Sequence, residues 1–300
     1  MFKASVDDLV FSTLNDVLGG IEQHFSADVL FIKAPMFPGV DDAIRHNIEL
    51  IVDSYVVQKT KPPHKLCIIL ETTGGSIETV ERIVRILRNH YKEVIFVIPN
   101  FAYSAGTVLA LSGDELYMDY YSVLGPIDPQ LPGEDGRYIP AIGYLQKYNQ
   151  LVGFVNSNPA NSRAELNFLI SKFDPAKLFF IEQAKEHGKQ LLKEWLPQYK
   201  FKNWKITKEQ GKKVTPRMRE ERAEQIAETL GNPERWHSHG RGIGIRELTC
   251  DEIKLEVQNF GDNSNLNQAI RVYYDILSDF LSKKGIMHAL HTKIGGVRSI

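Results

Sequence analysis

Apolar runs and amphipathic segments alternate along the first half of the chain. Residues 28–33 form a short apolar run, and residues 41–58 then carry apolar side chains at helical spacing. The pattern recurs with an apolar run at 65–75, an amphipathic segment at 76–91 and a third run at 93–100. Repeated βα units predict a mostly parallel sheet that helices cover on both faces.

The second half of the chain changes in character. Residues 122–140 are dense in Pro, Gly and Asp and predict a long ordered loop. Helical periodicity follows at 141–156, 164–196, 217–231 and 267–284, with one strand-like run at 254–260. We therefore expect an α/β core over residues 1–155, including an N-terminal helix. Residues 156–300 are expected to form a mainly helical extension that packs on the core or on a neighbouring subunit.

Composition and charge narrow the classes of protein. The chain has 36 basic and 37 acidic residues, so no net field attracts nucleic acid or an anionic membrane. Acidic residues interrupt the apolar positions of the N-terminal segment, which is unlike a signal peptide or a membrane span. Two cysteines without CxxC spacing give no sign of a disulfide framework or zinc site. These features predict a cytoplasmic protein that does not insert into a membrane.

Ser104 is the sharpest candidate for chemistry. It lies in a cluster of small residues at 103–107, between a predicted strand and a predicted helix. Such a junction exposes a hydroxyl at the carboxyl edge of a sheet and directs free helix amides towards it. The alternative is that Ser104 only caps the helix.

Paired glycines follow the preceding strand. Gly74 and Gly75 allow backbone N–H groups to approach a substrate carbonyl closely, which favours an oxyanion hole. A plain glycine turn or a phosphate-binding loop is the alternative. However, no GxGxxG or GxxxxGK[ST] pattern is present, so the sequence gives little support for nucleotide binding.

Three motifs together resemble the serine dehydrogenase proteinases. They are TTGGS at 72–76, PNFAYSAGT at 99–107 and LGPIDPQL at 124–131. This family is related to signal peptide peptidase A and to the proteolytic subunit of Clp protease. The resemblance implies a Clp/crotonase-like α/β core, a nucleophile at Ser104, an oxyanion hole from the amides near Gly74, Gly75 and Ala105, and assembly into a homo-oligomer.

The general base follows less directly from the resemblance. The Clp branch has a histidine about 25 residues after the serine, but residues 125–130 contain none. The signal-peptide-peptidase branch uses a lysine from a later helix, which makes Lys147 the first candidate. Apolar neighbours of Lys147 would have to remove solvent from its ammonium group for it to act near neutral pH. The alternative is a solvated helix lysine.

Three further side chains are possible accessories. Asp128 could orient the base or stabilise its own loop between two prolines. His237 and His239 lie in a Gly/Ser-rich loop, and either could fold back as the base of a Ser-His pair. Their two-residue spacing could also indicate a metal, but no third ligand cluster accompanies it, so no metal site is expected.

The predicted function is a serine endopeptidase that cleaves peptide or protein substrates through Ser104 and Lys147. The reaction needs no metal or organic cofactor. The basic stretch 200–222 is interpreted as a solvated surface and not as a nucleic-acid site, because acidic residues dilute it. Two rival functions are a crotonase-like acyl-thioester enzyme, which would use the same oxyanion hole, and a non-catalytic scaffold.

Overall fold

The secondary structure begins with a helix and continues as alternating strands and helices. A computed structural model describes residues 5–132, 138–207 and 211–300. Within these residues the helices are α1 (Val6–Phe25), α2 (Val40–Gln58), α3 (Ile77–His90), α4 (Ala105–Leu111), α5 (Ala141–Ser157), α6 (Arg163–Lys172), α7 (Pro175–Trp195), α8 (Pro216–Leu230), α9 (Pro233–Trp236), α10 (Ile245–Thr249) and α11 (Ser264–Lys283). The strands are β1 (Asp28–Lys33), β2 (Lys65–Glu71), β3 (Glu93–Val97), β4 (Phe101–Ala102), β5 (Glu115–Met118), β6 (Val123–Leu124), β7 (Gln130–Pro132), β8 (Tyr138–Pro140), β9 (Gln258–Asn259), β10 (Ala289–Thr292) and β11 (Gly296–Ser299).

One seven-stranded sheet organises the fold. Its order is β11-β10-β1-β2-β3-β5-β9. In this order, β1, β2, β3, β5 and β9 pair in parallel. β10 pairs antiparallel with both of its neighbours, β1 and β11. The expected α/β class with a mostly parallel sheet is therefore confirmed. Separate pairs are formed by β4 with β6 and by β7 with β8.

The central strands bury both faces. In β2, Leu66, Ile68 and Leu70 join one apolar cluster, and Cys67 and Ile69 join the other. Alternate side chains point to opposite faces of a strand, so a strand covered on both sides is continuously apolar. Helices α2, α3, α4, α7 and α8 contribute to the first cluster, and α1 and α11 contribute to the second.

Helix starts follow local capping chemistry. Ser5 and Asp8 form a capping box at the start of α1, and the Ser76 side chain accepts a hydrogen bond from the Thr79 amide at the start of α3. Proline stands in the first turn of α7 and of α8, where its missing N–H has no cost. These signals fix where α1, α3, α7 and α8 begin.

The second half contributes more than helices. Strands β9, β10 and β11 complete the same sheet, and α11 packs beneath it. The hairpin of β10 and β11 was not expected from the sequence, and the expected strand at 254–260 is reduced to β9. Residues 122–140 were expected to lack regular elements, but β6, β7 and β8 lie there; residues 133–137 are outside the described part. The division at residue 155 stays a prediction.

Two other expectations concern the surface of the protein: that it does not insert into a membrane and that it assembles into a homo-oligomer. No described helix is long and apolar enough to cross a membrane. Helices α6 and α7 expose large apolar side chains, namely Leu166, Phe168, Ile170, Phe179 and Phe180. Assembly into a homo-oligomer and a cytoplasmic location stay predictions. Residues 208–210 of the basic stretch lie outside the described ranges.

Candidate active site

Ser104 occupies a strained turn between β4 and α4. Its backbone has φ 53° and ψ −121°, a conformation that residues other than glycine adopt at a cost. Its side chain makes no capping hydrogen bond to α4, so the alternative role as a helix cap is not observed. Ser104 is partly exposed. The turn presents a hydroxyl that the described part of the fold does not use.

The glycine turn after β2 packs directly on this serine. Gly74 and Gly75 have φ of 95° and 141°. A Cβ on Gly74 would lie 2.7 Å from the Ser104 Cβ and 2.7 Å from the Tyr103 carbonyl oxygen, and one on Gly75 would lie 2.3 Å from the Met36 carbonyl oxygen. These distances leave no space for a side chain, so both positions require glycine.

Two backbone amides at this junction lack a hydrogen-bond partner among the described residues. They belong to Gly75, which is exposed, and to Ala105, the first residue of α4. The amide of Gly74 differs, because it donates to the Thr72 Oγ1 at 3.1 Å. Of the three amides expected in an oxyanion hole, those of Gly75 and Ala105 are therefore free and that of Gly74 is engaged.

The loop after β6 lies against the serine turn. β4 and β6 are parallel, with Ala102 opposite Leu124, so both strands end at the same edge. The Thr107 hydroxyl is fully buried; it accepts from the Gly125 amide at 2.9 Å and lies 2.8 Å from the Ala102 carbonyl oxygen. A Cβ on Gly125 would lie 3.2 Å from the Tyr103 Cα. Gly125 is therefore in backbone contact with the residue before Ser104.

Asp128, three residues beyond Gly125, pairs with His239. The Asp128 Oδ1 and the His239 Nδ1 are 2.9 Å apart, and the side chains are 2% and 11% exposed. Leu124 and Ile243 form an antiparallel bridge, with N–H to O distances of 3.0 and 2.8 Å. This bridge holds the loop containing His239 beside β6. Two of the three predicted accessory residues are thus brought together.

The other two candidate bases are exposed. His237 ends α9 with φ 61°, and its backbone amide donates to the Pro233 carbonyl oxygen at 2.8 Å. Lys147 lies on α5 with its side chain in solvent. No hydrogen bond joins Lys147 to Ser104 among the described residues, and the expected burial of Lys147 by apolar neighbours is not observed. Its role as the base stays a prediction.

Metal ligands are not grouped in this part of the chain. Within residues 5–132, 138–207 and 211–300, no three His, Cys, Asp or Glu side chains are placed to hold a metal ion. Within the same ranges His237 and His239 are not grouped with a third ligand, and the His239 Nδ1 lies within hydrogen-bond distance of Asp128. The site is therefore described by a hydroxyl, two free amides and an Asp-His pair.

A known protein family matches the part of the chain that contains Ser104. The family of ClpP-like SDH-type serine proteinases matches residues 35–151. Residues 35–151 therefore resemble a ClpP-like serine proteinase. The ClpP-like segment contains the glycine turn, Ser104, Asp128 and Lys147, and the resemblance noted from the three sequence motifs is confirmed. His239 lies outside it.

Curated relatives match only part of their length. Uncharacterized protein MJ1495 of Methanocaldococcus jannaschii is 38% identical over 81 residues, which are 27% of this chain and 26% of that protein. Uncharacterized protein MJ0137 of the same organism is 40% identical over 92 residues, 31% of this chain and 29% of that protein. The chain thus spans less than a third of the length of these relatives.

Solved structures are similar at low identity. A variant of the 1510-N membrane-bound stomatin-specific protease in complex with a substrate peptide has a TM-score of 0.32 and 21% identity, covering 53% of this chain and 71% of that one. A second variant has 0.31 and 18%, covering 53% and 82%. The ClpP protease catalytic domain of Plasmodium falciparum has 0.29 and 13%, covering 41% and 62%. The fold is defined by the strand order of the seven-stranded sheet and does not rest on these similarities.

Proposed function

We propose that this chain is a serine peptidase in which Ser104 attacks the carbonyl carbon of a peptide bond. The observation that carries the proposal is the contact between the Ser104 turn and the glycine turn, with two unpartnered amides beside an unused hydroxyl. A nucleophile and preorganised donors in one place are what acyl transfer requires. The match of residues 35–151 to a family of serine proteinases supports the same chemistry.

The amides of Gly75 and Ala105 form the proposed oxyanion hole. As the Ser104 oxygen bonds to the carbonyl carbon, negative charge develops on the carbonyl oxygen, and two fixed N–H donors stabilise it. Loss of one such donor typically costs about 10²- to 10³-fold in rate. Gly74 has a different part: its own amide is engaged, and its missing side chain lets the turn pack on Ser104.

The proton of Ser104 has to pass to a base. Lys147 is the base predicted from the sequence, and a lysine acts in this way near neutral pH only after its ammonium group loses solvent. The exposed side chain of Lys147 does not have that environment. Lys147→Met, made beside Ser104→Ala, tests the predicted Ser104–Lys147 dyad: hydrolysis is lost in both variants if Lys147 is the base.

The test is covalent labelling combined with hydrolysis. Wild type, Ser104→Ala and the control Ser171→Ala are treated with a fluorophosphonate and weighed intact, and casein digestion is followed in parallel. Ser171 is an exposed serine of α6. One adduct is expected on the wild type and on the control, none on Ser104→Ala, with casein cleavage lost in Ser104→Ala alone. Internal casein fragments would identify endopeptidase activity.

Other outcomes assign the rival functions. An adduct that persists in Ser104→Ala would place the nucleophile elsewhere. Absence of any adduct on a folded wild type, together with no casein cleavage, would contradict the peptidase and favour the scaffold. Protection of the site by coenzyme A, with no casein cleavage, would favour the acyl-thioester enzyme.

A further inference from the structure

Three segments of the chain run side by side at the edge where Ser104 lies. Ser104 follows β4 by two residues, and Asp128 follows Leu124 of the parallel strand β6 by four. The third segment runs in the opposite direction and pairs with β6 through Ile243. His239 precedes Ile243 by four residues. The segment between them turns at 238–241, where the Arg241 amide donates to the Ser238 carbonyl oxygen at 3.1 Å, and His239 in this turn contacts Asp128.

Asp128 and His239 are bonded as an oriented base requires. The carboxylate of Asp128 is an acceptor, so its partner, the His239 Nδ1, carries the proton in this hydrogen bond. The neutral imidazole then has its lone pair on Nε2, for which the described residues provide no partner. The other charged or titratable side chains of this loop, His237 and Arg241, are exposed.

The Asp128–His239 pair is also related to Ser104 by its position along the sheet edge. Gly125 is in backbone contact with Tyr103, and Asp128 lies three residues farther along. β4 ends two residues before Ser104 and the parallel strand β6 ends four residues before Asp128, so the Asp128–His239 pair follows the same edge at which Ser104 lies.

We infer that His239 is the general base for Ser104 and that Asp128 holds it in position. This inference rests on the proposed peptidase function and concerns the origin of its base. Catalytic hydrogen bonds are often long in an unliganded enzyme and tighten with substrate, so the His239 Nε2 is expected to reach the Ser104 hydroxyl when a peptide binds. The base then comes from outside the ClpP-like segment, more than a hundred residues beyond the nucleophile.

The chemical steps balance with these groups. The Ser104 Oγ forms a bond to the carbonyl carbon as its proton moves to the His239 Nε2, and the carbonyl π electrons move to the oxygen between the Gly75 and Ala105 amides. The carbon–nitrogen bond then breaks, and His239 returns the proton to the leaving amine. Water repeats the sequence on the acyl-enzyme, which releases the acid and restores Ser104. Asp128 accepts the hydrogen bond from Nδ1 throughout and takes no proton.

Replacement of His239 is the first test. In His239→Gln, kcat/KM for labelled casein is expected to fall by about 10²- to 10⁴-fold, because general-base catalysis contributes this much. Arg241→Gln, an exposed change in the same loop, is the matched control and stays within about threefold of wild type on the scale of neutral surface changes. Circular dichroism and the thermal midpoint verify that each variant folds. Added imidazole is expected to restore part of the activity of His239→Gly.

A double-variant cycle tests Asp128 as a positioning residue. Asp128→Asn is expected to lower kcat/KM strongly, and the combination with His239→Gln is expected to be no worse than His239→Gln alone. Residues that act as one unit behave in this way. Losses that multiply in the double variant would mean that Asp128 only supports the fold, and would overturn its positioning role.

Other results would overturn the assignment of the base. If His239→Gln keeps its activity while Lys147→Met or His237→Gln loses it, the base lies at that other residue. A fluorophosphonate adduct on wild type combined with unchanged activity of His239→Gln would contradict this inference and leave the proposed peptidase intact. A wild type that neither forms an adduct nor cleaves casein would contradict both.

Discussion

The two sides of the candidate site are built from different interactions. On the serine side, the backbone of the glycine turn lies against the backbone of the Ser104 turn, and space for a side chain is absent at Gly74 and Gly75. On the opposite side, side-chain pairs make the contacts, as between Asp128 and His239. Close backbone packing makes the serine side rigid, whereas the contact on the opposite side depends on two side chains that substitution can remove.

The largest effect is expected on the rigid side. Gly75→Ala would place a Cβ 2.3 Å from the Met36 carbonyl oxygen, a backbone atom that cannot rotate away, at a φ of 141°. We expect a loss of about 3 kcal/mol or more in the free energy of unfolding, from steric overlap and backbone strain. Urea denaturation measures this loss, and activity at a temperature where the variant is folded is expected to fall with the displaced amide.

Gly39→Ala is the matched control for this change. Gly39 also has a positive φ, of 106°, but a Cβ there would meet nothing within 4 Å. Only the strain of the backbone conformation applies, so about 1–2 kcal/mol is expected with activity retained. Equal losses at Gly39 and Gly75 would show that backbone conformation, and not close packing, sets the cost.

A pH effect on the fold itself has to be separated from the chemistry of the base. His291 in β10 is fully buried, its Nδ1 lies 2.6 Å from the Tyr273 hydroxyl, and its Nε2 has no described partner. Burial lowers the pKa of His291 to about 4 from the usual 6.5. The unfolded chain therefore binds this proton more readily, and stability falls as the pH drops from about 6.5 towards 4.

The expected size of this effect is up to about 3 kcal/mol at pH 4, since each unit of pKa difference is about 1.4 kcal/mol. The measurement is the free energy of unfolding from urea titrations at pH 7, 5.5 and 4. His291→Asn is expected to be less stable at pH 7 and to lose less between pH 7 and 4 than wild type does. An identical pH dependence in both would contradict the assignment to His291.

An intermediate loss of stability is expected at Thr107, where the Ser104 turn meets the loop that carries Asp128. Thr107→Val removes the buried hydroxyl that accepts from the Gly125 amide. An unpartnered buried amide costs about 1–3 kcal/mol, so a loss of about 2 kcal/mol is expected, with a lower rate if the Asp128 loop shifts. Thr249→Val is the control, because the Thr249 side chain is exposed and bonds back to the Ile245 and Arg246 carbonyl oxygens of its own helix. Equal losses would contradict this role of Thr107.

The smallest loss of stability is expected in α7 and α8. The buried ammonium of Lys189 in α7 pairs with Glu228 in α8, and one turn away Lys193 pairs with Glu224, where both side chains are exposed. Glu228→Gln is expected to cost about 1–2 kcal/mol, because a buried charge loses its partner. Glu224→Gln is expected to cost less than about 0.5 kcal/mol. The reverse order would contradict the importance of burial here.

Much of the core could be predicted because its signals are local. A strand buried on both faces has to be apolar at successive positions, and β1, β2 and β3 carry that pattern. The final hairpin escaped prediction because β10 and β11 are four residues each and carry no strong period. The pairing of β10 with β1 depends on residues more than 250 positions away in the chain.

The two turns on the serine side of the candidate site could be predicted from local sequence. Gly74, Gly75 and Ser104 are recognisable because a tight turn restricts which residues can occupy it, and that restriction acts over a few neighbouring positions. Folding alone revealed which of the proposed oxyanion amides are free and that Asp128 meets His239, 111 residues apart in sequence. That contact forms near the bridge between Leu124 and Ile243, and pairing between segments so far apart is a property of the folded chain that no local pattern encodes.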